Sequence, residues 1–188
     1  KGRHQPFMAT ASAAVTLLTK LGTDAGTCIP GPAGEGGAAA PGGPAACAAV
    51  SGAVPASQTV PVRHRRGTIT VHRCIAPHVA ALFAAAQAAG LPLGGGGYRD
   101  PAGQIRTRRN NCGPSSYDIY EKPSTACRPP TAKPGTSMHE RGLAIDFTCG
   151  GPTVRLGDQC SRWLLANSKR FGLTNWPQES WHYSSNGH

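Results

Sequence analysis

The stretch from Gly26 to Pro55 is dominated by Gly, Ala and Pro and carries no sustained period of 2 or 3.6, so it cannot build a core of its own. Composition shifts sharply near residue 60, and any globular core must come from the residues beyond it. A chain of 188 residues suits one domain, or one domain plus an arm. We therefore expect an N-terminal arm over 1–60, with a short helix placing Val15, Leu18 and Leu21 on one face, and a folded domain over 61–188. Lys1 to Phe7 shows neither helix nor strand pattern.

Seven cysteines without paired C-x-x-C knuckles favour disulfides and an oxidising compartment, so secretion or association with a cell wall is expected. Pairing of sequence neighbours predicts Cys28–Cys47, Cys112–Cys127 and Cys149–Cys160, with Cys74 as the odd thiol. The formal charge of +10 attracts polyanions, among them an anionic cell wall. Arg63, His64, Arg65 and Arg66 read as a solvated basic turn and, lacking interleaved aromatics, as a poor nucleic-acid platform, so no specific nucleic-acid partner is expected. No run of about 18 apolar residues occurs, and no membrane span is expected. A monomer is the expected state.

Regular signals begin at Thr68, where Ile69 and Val71 alternate with Thr68, Thr70 and His72 as in a half-buried strand. A helix follows, with Pro77 in its first turn, an apolar stripe of Val79, Leu82, Phe83 and Ala86, and Gly90 as its cap. Another is expected from about Asp158 to Phe171, burying Cys160, Trp163 and Leu164 and ending at Gly172. Strands mixed with unrepeated helices indicate an α+β fold.

The chemistry concentrates in two segments. In Ser137-Met138-His139-Glu140-Arg141-Gly142-Leu143-Ala144-Ile145-Asp146-Phe147, a strand would bury Leu143, Ile145 and Phe147 and aim Asp146 at the other face. Gly142 lets the chain turn between His139 and that strand, so an imidazole and a carboxylate can converge on one ion. In Glu179-Ser180-Trp181-His182-Tyr183, a strand would separate His182 from Trp181 and Tyr183 and supply a second imidazole. Two His and one carboxylate leave a fourth zinc position open, as in catalytic sites, and a carboxylate beside it, Glu179, could accept the proton of water there.

The pattern S-x-H-x-x-G-x-A-x-D followed by E-x-W-H resembles the zinc D-alanyl-D-alanine carboxypeptidases and dipeptidases, the group that includes the vancomycin-resistance enzymes. Gly97-Tyr98-Arg99-Asp100 and Gln104 are similar to the segment that precedes the zinc motif in that family, so the resemblance covers roughly residues 67 to 185. It implies a small antiparallel sheet with flanking helices, as in the Hedgehog signalling domain, and makes 61–188 a zinc peptidase domain. It implies one Zn2+ per chain on His139, Asp146 and His182, Glu179 as general base, and Arg99 as electrostatic partner of the substrate carbonyl or carboxylate. Tyr98, Gln104 and Ser137 become residues on the substrate side, and peptidoglycan peptides the substrate. D,D-carboxypeptidase activity is expected, with lytic endopeptidase as its alternative.

Competing chemistries fit less well. Leu143 stands where H-E-x-x-H needs its second His, so Glu140 has no role by that motif. A Ser137-His139-Asp146 triad lacks a G-x-S-x-G turn, and Cys112 is better read as structural than as a nucleophile. A zinc-containing binding or signalling module without turnover would need neither Glu179 nor Arg99. Exopeptidase action requires a cation for a terminal carboxylate, for which Arg99 is the first candidate and Arg106, Arg108 and Arg109 are reserves.

Overall fold

The computed structural model describes Cys47 and residues 49–188. The helix expected around Val15, Leu18 and Leu21 lies outside the described residues. Strands β1 (Thr59–His64) and β2 (Gly67–His72) form an antiparallel hairpin in which His64 faces Gly67, so Arg65 and Arg66 make the turn. The basic run is thus a solvated turn and strand end, with Arg63, Arg65 and Arg66 exposed.

Helix α1 (Ala76–Ala88) carries proline in its first turn and buries Val79, Leu82, Phe83 and Ala86, the stripe the spacing predicts. Gly90 adopts φ 74°, which an L-residue avoids, and lets the Leu91 amide reach Ala86 O at 2.9 Å. Strand β3 (Leu93–Gly96) comes next, then helices α2 (Pro101–Cys112) and α3 (Ser116–Tyr120). Asp100 caps α2 through the Gly103 amide, and Ser115 and Asp118 form a capping box on α3.

Strand β4 (Ala144–Cys149) leads to α4 (Gln159–Asn167), which tightens into a 3-10 turn at Ser168–Phe171 before Gly172 ends it in the left-handed region. The expected helix over 158–171 is therefore an α segment with a tighter last turn. Short strands β5 (Thr174–Asn175) and β6 (His182–Ser184) complete an antiparallel sheet of order β3-β4-β6-β5. Phe147 of β4 sits at the core centre, edge-on to Phe83 of α1 at 5.9 Å and to Tyr183 of β6 at 5.4 Å. Leu143, Ile145 and Phe147 are buried as the alternation requires.

Cys112–Cys127 and Cys149–Cys160 pair as expected, tying α2 to the following loop and β4 to α4. The Cys28–Cys47 pairing is overturned: Cys47 bonds Cys74, which is consequently no odd thiol. The hairpin returns the chain so that Cys74, just past β2, lies 5.7 Å from Cys47 between Cα atoms. Val54 also donates its amide to Glu140 O at 2.9 Å, so Cys47 and the described residues up to Val60 belong with the compact unit rather than with an arm ending at 60.

Candidate metal centre and its cleft

The sheet register creates the centre. Asp146 of β4 lies directly opposite His182 of β6, so their side chains leave the sheet on one face, away from the buried Ile145 and Tyr183. His139 arrives from a tight turn over 139–142, in which the Gly142 amide donates to His139 O at 3.0 Å and Gly142 takes φ 67°. A Cβ on Gly142 would also meet the His72 backbone nitrogen at 2.6 Å, so only glycine satisfies both conformation and space. Glu140, fully buried, accepts amides of Gly135 at 2.8 Å and Ser137 at 3.3 Å, which makes it a brace of this turn and not a residue of an H-E-x-x-H helix.

His139 Nε2 stands 3.1 Å from Asp146 Oδ1, His182 Nδ1 stands 2.9 Å from the same oxygen, and the two ring nitrogens are 3.3 Å apart. Donors at about 2.0–2.1 Å from one tetrahedral ion lie about 3.3 Å from each other, so the triangle has the size of a metal site. The proton positions assigned from hydrogen-bond partners point the same way. His139 Nδ1–H donates to Gly97 O at 2.7 Å and His182 Nε2–H donates to His188 O at 3.2 Å, which leaves the other nitrogens as lone pairs. Three acceptors therefore face one point with no hydrogen between them, an arrangement relieved by a cation or by an extra proton. Burial works to raise the Asp146 carboxyl, but the His139 and His182 imidazoles, once they carry that extra proton, outweigh it and hold the group well below the usual carboxylate range. His182 is raised, because Asp146 overcomes the lowering effect of burial.

Around this triangle lies a cleft of about 420 Å³. Arg99 reaches over it: its Nη1 donates to Gln104 Oε1 at 2.8 Å and its Nη2 lies 3.6 Å from Asp146 Oδ2. Gln104 is wholly buried and donates to Ala132 O at 2.7 Å, so it aims Arg99 and fixes the cleft wall. Ser137, also buried, accepts the His139 amide at 3.2 Å. Glu179 also lines the cleft, in the loop before β6, and its carboxylate makes no hydrogen bond to another described residue. Burial first, then Asp146, pushes it up, against His182 and Arg99, to about 7.

Several expectations need correction. Tyr98 turns its hydroxyl to Val54 O at 2.8 Å and is not among the residues lining the cleft, so it secures the segment before β1. Arg108 is wholly buried, with its donors spent on the carbonyls of Asp118, Ile119, Lys122 and Thr131, so it organises the 118–131 segment and is no reserve for a carboxylate. Arg106 pairs with Asp100, and Arg109 is exposed, neither in the cleft. Residues to which the sequence patterns assign no role do line it, notably Arg141, Trp176, Asn186 and His188. Nothing in spacing singles out Trp176, whereas Arg141 sits inside the S-x-H-x-x-G motif.

A curated relative, a D-alanyl-D-alanine carboxypeptidase of Enterococcus faecalis, is 32% identical over 123 residues, covering 58% of this chain and 46% of that protein. Among solved structures, VanYB in complex with D-alanine-D-alanine matches with TM-score 0.52 at 28% identity, over 70% of this chain and 80% of its own. The chain is similar in sequence and in fold to the VanY-type D,D-peptidases. A second such structure, a glutamate-to-alanine variant of the vancomycin-resistance D,D-pentapeptidase VanY in complex with Zn(II), matches with TM-score 0.51 at 28% identity, over 70% and 82% of the two chains. A family model described as the VldE C-terminal domain matches residues 117–188. The α+β fold with its small antiparallel sheet is that of these VanY relatives, and this chain spans about half (46%) of the curated relative's length.

The Gly97 carbonyl that orients His139 rests on a position with no room for a side chain. A Cβ there would overlap Thr70 O of β2. Gly97→Ala should therefore shift the carbonyl, destabilise the fold by about 1–3 kcal/mol and weaken metal affinity ~10–100-fold, as for loss of a partner outside the ligand set. Thermal melting with metal titration checks this, and affinity equal to the parent chain would contradict it.

Proposed function

We propose that the chain is a zinc-dependent peptidase acting on peptidoglycan stem peptides, and specifically a D-alanyl-D-alanine carboxypeptidase. The observation that carries the reading is the convergence of three acceptors, His139 Nε2, Asp146 Oδ1 and His182 Nδ1, in a cleft that also holds a metal-free carboxylate and a cation, Glu179 and Arg99. A zinc ion on those three residues would act as a Lewis acid toward the scissile carbonyl and acidify water. Glu179 takes the proton of the attacking water on its carboxylate and hands it to the departing amine. Arg99, held by Gln104, opposes the negative charge that grows on the carbonyl oxygen. Loss of either group would leave a binding module, and retention of both favours turnover. Three disulfides support an oxidising, extracellular or wall-associated location, and the charge of +10 supports contact with an anionic wall.

The base works only when ionised. With Glu179 near 7 before the cation is counted, and a bound cation drawing it down, kcat/KM should fall about tenfold per pH unit below an apparent pKa no higher than about 7. A pH–rate profile with no acid limb above about pH 4 would remove this assignment. The test of the reading as a whole is metal removal and return. Protein stripped by chelation should cleave no D-Ala-D-Ala peptide and regain activity at one zinc per chain. Undiminished turnover by metal-free protein would end the proposal.

A further inference from the structure

If this cleft removes a terminal residue, some cation must receive the free carboxylate, and the geometry disqualifies the arginines of the 99–109 segment. Arg99 is held over the ligand triangle by Gln104 and Asp146, Arg106 pairs with Asp100 outside the cleft, Arg108 is spent on carbonyls, and Arg109 is exposed elsewhere. One further arginine lines the cleft: Arg141, in the turn that delivers His139. Its guanidinium lies within 4.0 Å of no carboxylate among the described residues, and its one side-chain hydrogen bond to them is from Nη1 to the Met138 sulfur at 3.8 Å. Its Nε is covered by protein and has no acceptor. A half-buried guanidinium that lines the cleft and pairs with no carboxylate among the described residues leaves its charge uncompensated there, which favours an anion in the cleft. Arg141 N also donates to Ser137 O at 3.3 Å, so the side chain springs from the braced turn rather than from a loose loop.

We propose that Arg141 is the anchor for the terminal carboxylate of the bound peptide, and thus the residue that makes the cleft prefer chain ends. Its planar guanidinium matches a carboxylate with two parallel hydrogen bonds, which a peptide carbonyl or a terminal amide cannot reciprocate. Arg99 is then free to act on the scissile carbonyl, and the two cations divide tasks that the family resemblance alone would give to one. This rests on the peptidase reading, but its test is binding and needs no turnover.

The experiment titrates N-acetyl-D-Ala-D-Ala and its C-terminal amide into the zinc-loaded 188-residue chain carrying Glu179→Gln, with and without Arg141→Met or Arg141→Lys, by calorimetry. With Arg141 intact the acid should bind about 10- to 100-fold more tightly than the amide. Arg141→Met should abolish that preference by weakening the acid alone, and Arg141→Lys should restore part of it. Acid and amide binding equally with Arg141 intact, an undiminished preference in Arg141→Met, or equal loss of both ligands would each overturn the proposal, the last by making Arg141 a structural residue. Failure of the peptidase reading shows separately, as selective binding with Arg141 intact but no hydrolysis when Glu179 is present.

Discussion

Alanine in place of Glu179 should lower kcat by at least ~100-fold while zinc stays at one per chain, because it deletes the proton acceptor and spares every ligand. The structure makes this a clean substitution. Glu179 carries no side-chain hydrogen bond to another described residue, and the loop holds its shape through the backbone, with the Glu179 amide on Trp176 O at 2.9 Å and the His182 amide on Glu179 O at 3.1 Å. Removing a carboxylate whose ionisation is opposed by burial should leave the fold as stable or slightly more so. Steady-state kinetics with metal analysis reads the result. Turnover within a few-fold of the parent would remove Glu179 from the mechanism, and loss of zinc would make it a ligand instead.

Replacing His182 by alanine should instead cost the metal. Three protein donors are the minimum for a tight catalytic site, so affinity should fall by more than the ~10–100-fold typical of partners outside the ligand set, and activity should vanish with it. The strand itself should survive, since β6 is held by backbone pairing with β4 and by Tyr183 in the core. Undiminished zinc with a native circular dichroism spectrum would rule out the ligand assignment.

The ligand triangle was legible because its strands alternate: Leu143, Ile145 and Phe147 bury one face, and Asp146 and His182 must take the other. Helix α1 was legible for the same reason, its stripe falling at helical spacing. Helix α2 was missed although Asp100 and Pro101 mark its start, because the face it buries is Gly103, Gln104, Arg108 and Cys112, which no hydrophobic period reveals. Strand β3, with three glycines in four residues, has almost no side chains to alternate. The Cys47–Cys74 bond depends on how the hairpin folds back, which sequence proximity cannot encode. Arg108 and Tyr98 illustrate the same limit: composition marks an arginine or tyrosine near a motif, but only packing tells whether its polar atoms face the cleft or the protein's own carbonyls.

Hydrolysis of a stem peptide by the zinc-loaded chain is tested most directly by mass spectrometry of the products. A pentapeptide ending in D-Ala-D-Ala and purified crosslinked muropeptides are incubated with the zinc-loaded protein and, in parallel, with the Glu179→Ala protein. The expected result is loss of a single terminal D-Ala from the pentapeptide, with the crosslinked dimers intact and the variant nearly inert. Dimers falling to monomers while the free pentapeptide survives would contradict the carboxypeptidase assignment and make the chain a lytic endopeptidase.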